Sequence, residues 1–435
     1  MKIRKADIVI VGSGPGGATV ARDLTLKNKN VVIIEQGKDI PPKGTVFSAF
    51  NYVGGLSCLG KGFILTKEGF QIIRGVTTGG SSMLYLGSAW EPPFKLFEKY
   101  DIDLQTQTKD IKKELKIQTV PDHLVGPRAK EITQSALALG YEWKKIPKFL
   151  KADHCIENCN RCMFGCPNNA KWHARDWVMD AVQHGARLYN QMRCKKVIVD
   201  NQQAIGVIAV DQYGQDIQIQ SNGVVLSAGG IGSPSVLKRS GINEAGESFF
   251  FDPFIQVIGH MKKEFQPSHE FPMVTGIHLE DQGIMITDMP TPFSIYANNV
   301  LFALKPKHIF SIGTSIGLLV KIKDDICGKI TKDDKIMSKP LTNNDLQKFE
   351  NGKVISQNIL KHLGASDIWA TKVSAAHPGG TCRIGHIVNK NLETRYKNLF
   401  VVDASVIPEP WGLPPTLTII SLARRLTNYI QEVLP

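Results

Sequence analysis

With 435 residues the chain has room for about two domains of ordinary size. Hydrophobic residues make up 42% and charged residues 21%, close to the averages of soluble globular proteins, which excludes a disordered or fibrous chain. A net charge of +12 and an isoelectric point near 9.2 suit an acidic partner, an anionic ligand or an anionic membrane surface as well as a plain solvated face. Nucleic acid is not expected as a partner, because no block of like charges and no recognised binding module accompany that charge. The densest basic cluster is Lys144, Lys145, Lys148 and Lys151, interleaved with Trp143, Ile146 and Pro147. No run of eighteen apolar residues occurs, so no spanning helix is expected and membrane contact is peripheral at most. Met1 to Lys5 carries no apolar run with a cleavage site, and a cytoplasmic protein is the expectation.

In chain order, Ala6 to Val11 is an apolar run ending in Gly12. Ala18, Ala21 and Leu24 then fall at helical spacing, and Val31 to Ile34 resumes a strand. This is a βαβ start. Gly75 to Gly87 is a glycine- and serine-rich loop, and helices are predicted over Thr108 to Leu115, Ala129 to Leu139 and Asp176 to His184. Strands follow at Val197 to Val199, Ala204 to Val210, Ile217 to Ile219 and Val224 to Ser227, with a turn at Tyr213-Gly214-Gln215, the pattern of a meander that joins two parallel strands. Phe249 to about Gly328 reads as strands of a second, antiparallel domain, and Asn344 to Leu363 as a helix. Leu399 to Val402 is a strand, and a final helix begins near Pro415 with Ile419, Leu422, Ala423, Leu426 and Ile430 on one face.

Gly12-Ser13-Gly14-Pro15-Gly16-Gly17 fits G-x-G-x-x-G and lies where a dinucleotide site needs it, after a strand and opening a helix. Gly12 permits the tight turn, Gly14 lets backbone approach a pyrophosphate, and Gly17 lets helix and strand pack closely. The phosphates then meet the positive end of the helix that Pro15 opens. Glu35, eighteen residues beyond Gly17 and followed by Gln36, ends the second strand as an acidic acceptor for ribose hydroxyls.

Arg74-Gly75 with Gly79-Gly80-Ser81-Ser82, and Ser227-Ala228-Gly229-Gly230-Ile231-Gly232-Ser233-Pro234 with Ser240-Gly241-Ile242, resemble the two signature regions of the glucose-methanol-choline (GMC) oxidoreductases. Ala376-His377-Pro378-Gly379-Gly380-Thr381-Cys382 and Val402-Asp403-Ala404-Ser405-Val406-Ile407-Pro408 resemble that family's carboxy-terminal motifs. The resemblance implies an α/β fold with a Rossmann-type FAD domain built from separated segments, 1–95, 176–245 and 371–435. A helical and cysteine-rich connection at 96–175 and an antiparallel substrate domain at 246–370 complete the implied order. It further implies that Ser81 and Ser82 lie near the flavin and Val197 beside the adenine, that Asp403 and Ala404 meet the phosphate and ribityl region, that the helix end at Pro415 and Thr416 points at the ring, and that Arg74, Gly80, Ala228 and Gly229 also bind the cofactor. By the same resemblance His377 is the base that accepts a substrate hydroxyl proton, a role that suits an imidazole titrating near neutral pH. Two positions depart from the pattern. Pro414 stands where relatives carry a second histidine or an asparagine, and Tyr85 where many carry an asparagine. The chain is also shorter than the family's common size, which tells against a simple sugar oxidase.

Eight cysteines include four within twelve residues, Cys155, Cys159, Cys162 and Cys166; Cys58, Cys194, Cys327 and Cys382 are scattered and read as small buried hydrophobes. The spacing Cys-x3-Cys-x2-Cys-x3-Cys-Pro is close to a ferredoxin run, so an iron-sulfur cluster, 4Fe-4S or 3Fe-4S, is expected there, with reduced thiols and zinc as alternatives. The same segment resembles a cysteine-rich stretch in alcohol-oxidising members of the family. The combined expectation is an FAD-dependent alcohol dehydrogenase whose electrons leave through the cluster to an acidic acceptor protein or a quinone. A flavin-dependent reductase of unsaturated substrates and a non-enzymatic electron-transfer flavoprotein are its rivals.

Overall fold

The computed structural model describes residues 2–57, 59, 61–266, 270–331 and 337–434. Among them, a first sheet of seven strands runs Arg187–Tyr189, Val31–Ile34, Lys2–Val11, Asp216–Leu226, Gln203–Val210, Arg193–Asp200, with Leu399–Val401 pairing beside Asp216–Leu226. Its central members are parallel. Ile8 to Ile10 and Val31 to Ile34 are buried throughout, as near-continuous apolar strands must be when both faces are covered. The helices Pro15–Thr25, Ala174–Gln183 and Thr416–Val433 pack together on this sheet. Ile419, Leu422, Ala423, Leu426 and Ile430 of the last are all buried, as their spacing predicts.

The meander forms, with one correction: the two strands read at 217–219 and 224–227 are the single strand Asp216–Leu226. The polar step Gln220-Ser221-Asn222 does not interrupt it, because Lys2–Val11 pairs in parallel along almost its full length.

A second sheet of nine strands takes the order Phe63–Leu65, Gln71–Ile73, Ser374–Ala375, Pro253–His260, Ser315–Ile322, Ile284–Asp288, Thr275–Leu279, Lys144–Lys145, with Ser366–Ala370 also pairing to Pro253–His260. Strand alternation gives it two different faces. Ile255, Val257, Ile284, Ile286, Leu318, Val320 and Ile322 form one core with residues of the helices Pro127–Ala138 and Asn343–His362. Phe254, Met285 and Leu319 lie on the other face, in a cluster with Met273, Met289 and Leu413. Lys321 shares that face, in register with Phe254 and Met285. Within the region read as strands, Phe293–Phe302 is a helix. Only Tyr296 and Val300 of it are buried, while Phe293, Leu301 and Phe302 are exposed, so apolar residues on every side hide its helical period.

Candidate active site

The glycine loop is tight at three positions and open at one. A Cβ on Gly12, whose φ is +98°, would stand 2.3 Å from the Ser227 carbonyl oxygen; on Gly16, 2.0 Å from that of Val402; and on Gly17, 2.1 Å from that of Gly12. A Cβ on Gly14 or on Gly229 would meet nothing within 4 Å. The backbone is therefore open beside Gly14 and beside Gly229, and Gly14 stands at a helix end with no side-chain cap and no acidic residue in its first turn, as a phosphate site needs. The glycine-serine loop closes on this space: the Gly79 amide donates to Ser13 Oγ at 3.1 Å, and a Cβ on Gly80 would lie 3.2 Å from Gly14 Cα. The constriction at Gly16 had no separate signal, since it depends on Val402, far along the chain.

Glu35 is buried, and its carboxylate accepts from the Ser13 amide (3.1 Å), Ser13 Oγ (2.7 Å) and the Gly37 amide (2.8 Å). An ionised carboxylate has about four lone-pair sites, so about one remains for a ribose hydroxyl. Burial pushes the Glu35 pKa up, and these hydrogen bonds together with the Arg74 charge oppose the shift. Arg74 Nε donates to the Lys61 carbonyl at 2.6 Å, whereas Gln36 is exposed. Replacing Glu35 with alanine should weaken FAD retention by ~1–3 kcal/mol. Dialysis followed by a flavin spectrum measures this, and full occupancy would remove Glu35 from the site.

Several other expected residues are spent on the protein itself. Ser82 Oγ donates to the Gly79 carbonyl and accepts from the Ala174 amide, while Ser81 Oγ accepts from the Gly75 amide. The Asp403 carboxylate accepts from the Gly229 amide, Ser233 Oγ and the Ser405 amide, which clamps the second segment to the third. The Ala228 amide donates to Ser233 Oγ, and the Ala404 carbonyl accepts from the Gly380 amide. The Val197 amide donates to Ser240 Oγ, and its side chain is in the core. Pro415 is the N-cap of the last helix, one residue before its expected first helical position, and Thr416 is buried at the helix start.

His377 adjoins this cradle. A Cβ on Gly230 would strike the Pro378 carbonyl at 1.9 Å, and Thr381 Oγ1 donates to the Gly230 carbonyl at 2.8 Å, so the histidine segment lies against the helix that begins at Gly229. Its Nδ1 lies 2.5 Å from Lys321 Nζ and 3.3 Å from Asp252 Oδ2, and Lys321 Nζ is 3.2 Å from the same carboxylate oxygen. Lys321 and Asp252 are buried, whereas the His377 side chain keeps 27% of its exposure. Withheld water first, and the Lys321 charge second, lower the imidazole pKa to about 4, against the pull of Asp252. His377 and Asp252 also have φ of 54° and 48°, a conformation that costs a side-chain-bearing residue energy and clusters at functional sites. Neither Lys321 nor Asp252 was foreseen: both lie in the stretch from Phe249 to about Gly328 that reads only as strands of the second domain.

The amino- and carboxy-terminal family models of the GMC oxidoreductases match residues 7–261 and 329–423. The chain is a GMC oxidoreductase. It is 28% identical to the Methanocaldococcus jannaschii protein MJ1450 over 98% of its own length and 100% of that protein's. Similarity to the Arabidopsis thaliana long-chain-alcohol oxidase FAO1 is 22% identity over 99% of this chain and 67% of that one. Among solved structures, pyridoxine 4-oxidase from Mesorbium loti superposes with a TM-score of 0.76 at 17% identity, covering 98% of this chain and 99% of that one. Aspergillus oryzae formate oxidase gives 0.77 at 15% identity, covering 100% and 99%. The mixed α/β architecture expected from the sequence is thus the fold of these enzymes.

GMC oxidoreductases bind FAD, and the residues here fit it: the open cradle at Gly14 and Gly229, the uncapped helix end and the spare acceptor capacity of Glu35 all suit an adenine dinucleotide. The cysteine expectation finds no support in the structure. Cys155 and Cys159 are half-buried and Cys162 and Cys166 buried, all as free thiols, and among the described residues no group of three or more His, Cys, Asp or Glu is disposed to hold a metal ion. The expected iron-sulfur cluster and the zinc alternative are therefore not supported by this arrangement. Burial, with the neighbouring sulfurs adding to it, pushes the Cys155 thiol up to about 12, and burial pushes Cys162 to about 12 against the pull of Lys171 and Lys148.

What the segment does instead is anchor the glycine-serine loop. Lys171 Nζ lies within hydrogen-bond reach of the carbonyls of Ser82, Met83, Tyr85 and Cys162, at 3.2, 3.2, 2.8 and 2.8 Å. Tyr85 Oη donates to the Trp172 carbonyl at 2.6 Å, a structural tie between the glycine-serine loop and the cysteine segment. Lys148, read as part of a basic surface cluster, is buried with Nζ donating to the Leu86 and Pro272 carbonyls. Cys58 lies outside the described residues. Among those residues no helix is long and apolar enough to cross a membrane.

Proposed function

We propose that this GMC oxidoreductase oxidises the CH-OH group of an alcohol with an apolar body, and that His377 accepts the hydroxyl proton. The observation that carries the reading is where His377 lies, between the open cradle at Gly229 and the sheet face that presents Lys321 beside Phe254, Met285 and Leu319. Leu86, Trp90, Met163 and Trp411 pack against the same methionine-rich cluster. Methionine and aromatic side chains adapt to apolar bodies and offer a hydrocarbon chain little to hydrogen-bond. The names of two similar proteins, a long-chain-alcohol oxidase and pyridoxine 4-oxidase, agree with an alcohol as substrate.

When bound, FAD supplies the two-electron oxidant that takes hydride from the carbinol carbon. The chain's own residues do the rest. The glycine loop, Glu35 and the glycine-serine loop hold the dinucleotide, and the apolar face excludes water and orients the substrate. His377 is uncharged at neutral pH, so one of its two ring nitrogens is unprotonated and open to a proton.

Straight-chain primary alcohols from butanol to hexadecanol, assayed with a redox dye and separately with oxygen, test the reading and identify the class of acceptor. Each methylene buried on the apolar face is worth ~0.8 kcal/mol, roughly a fourfold rise in kcat/KM, until the face is covered. A profile flat with chain length would sink the apolar assignment, and absence of a carbonyl product from every alcohol would sink the reaction.

A further inference from the structure

Pro414 leaves the base without the second hydroxyl-handling side chain that relatives carry at that position. The structure supplies a different neighbour at Nδ1 of the ring. We propose that Lys321 is a proton-relay residue: it takes the Nδ1 proton of His377 as Nε2 receives the substrate's, and Asp252 stabilises the ammonium that results. This rests on the reading of His377 as the base.

The geometry carries it. Lys321 Nζ and Asp252 Oδ2 both converge on Nδ1, at 2.5 and 3.3 Å, and touch each other at 3.2 Å. Asp252 Oδ1 is buried with no hydrogen-bond partner among the described residues, so the carboxylate's direct cationic contact is Lys321. The Asp252 and Phe251 amides donate to Asp324, which in turn pairs with buried Lys339 at 3.0 Å. The charged groups around Nδ1 are thus two carboxylates and two amines. With Lys321 protonated they sum to zero; with it neutral they sum to minus one, and an arriving proton restores balance. Burial lowers the Lys321 pKa from the ordinary lysine value, while Asp252 and Asp324 oppose that shift.

The step balances. The substrate O-H bond breaks as Nε2-H forms, Nδ1-H breaks as Nζ-H forms, and the carbinol C-H electron pair leaves as hydride to the oxidising cofactor, turning C-O into C=O. His377 is neutral before and after, which matters because its imidazolium is strongly disfavoured. The tautomer follows the lysine. Protonated Lys321 donates to Nδ1, which places the single imidazole proton on Nε2 and blocks proton acceptance. Neutral Lys321 accepts from Nδ1-H and frees Nε2. Turnover should therefore rise with pH as Lys321 loses its proton, below the ordinary lysine range.

Three measurements on the FAD-loaded protein decide it. In 15N-histidine NMR, the resonance pair missing from His377→Gln should switch from Nε2-H to Nδ1-H as pH rises, and one tautomer at every pH would overturn the relay without any lysine variant. Lys321→Met and Lys321→Arg should each lose turnover of 1-decanol with dye by ~10²-fold, in the range of a proton-transfer group, and lose the rising pH limb. Arginine keeps the charge but does not give up its proton, so an arginine variant with wild-type turnover would reduce Lys321 to a fixed charge and overturn the proposal, as would an unchanged methionine variant. If His377→Asn retains turnover, the base assignment fails; if it loses turnover while no tautomer switch occurs, only the relay fails.

Discussion

Replacing His377 with alanine should lower turnover by ~10²–10⁴-fold, the range for a positioned general base, while the protein keeps its flavin. The two effects separate because the cradle at Gly14, Glu35 and Gly229 is built from backbone and from side chains other than this one. The position is conformationally special: φ is 54°, and alanine tolerates that region less well than asparagine. His377→Asn is thus the companion variant, expected to fold at least as well as alanine and to be equally impaired. Stopped-flow reduction of the flavin by 1-decanol reads the effect, and undiminished reduction would remove His377 from the chemistry. The imidazole itself stays unprotonated down to about pH 4. Acid therefore does not disable it through the ordinary histidine range, and any loss of activity between neutral pH and about 5 belongs to another group.

Lys171→Met should be the most destabilising change in the cysteine segment. Four carbonyls converge on its ammonium, and each buried carbonyl left without a donor costs ~1–3 kcal/mol. Shared hydrogens and local relaxation reduce the sum, so about 3 kcal/mol or more is expected by chemical denaturation, with flavin released because the glycine-serine loop loses its anchor. The pH dependence has a definite sign. Burial lowers the native Lys171 pKa to about 8, below the ~10.4 of an unfolded lysine. Between those values the unfolded chain binds more protons, and this group's contribution makes stability rise with pH. The Met variant should lose that slope. By contrast Cys159→Ser should leave flavin content and turnover intact, and iron or labile sulfide in the purified protein would overturn the thiol reading of all four cysteines.

What was legible in the sequence is what local physics enforces. The turn at Gly12, the approach at Gly14 and the acid at Glu35 lie within one βαβ unit, where spacing alone fixes which backbone atoms meet. The meander and the buried stripe of the final helix were readable for the same reason: period in sequence is period in space. The cysteine run marks the limit of such reading, because spacing reports which sulfurs are able to meet and not whether they converge. Here Lys171 ties the Cys162 carbonyl to the glycine-serine loop.

Lys321 and Asp252 were invisible for a deeper reason. Strand alternation assigns Lys321 to a face, but a lysine at a strand end is written the same way whether it meets water or an imidazole. Only the sheet register that sets Lys321 opposite Phe254, and the backbone path that brings residue 377 back to residue 252, decide between them. Those are contacts between segments tens of residues or more apart, selected by packing of the whole chain, and no local preference encodes them.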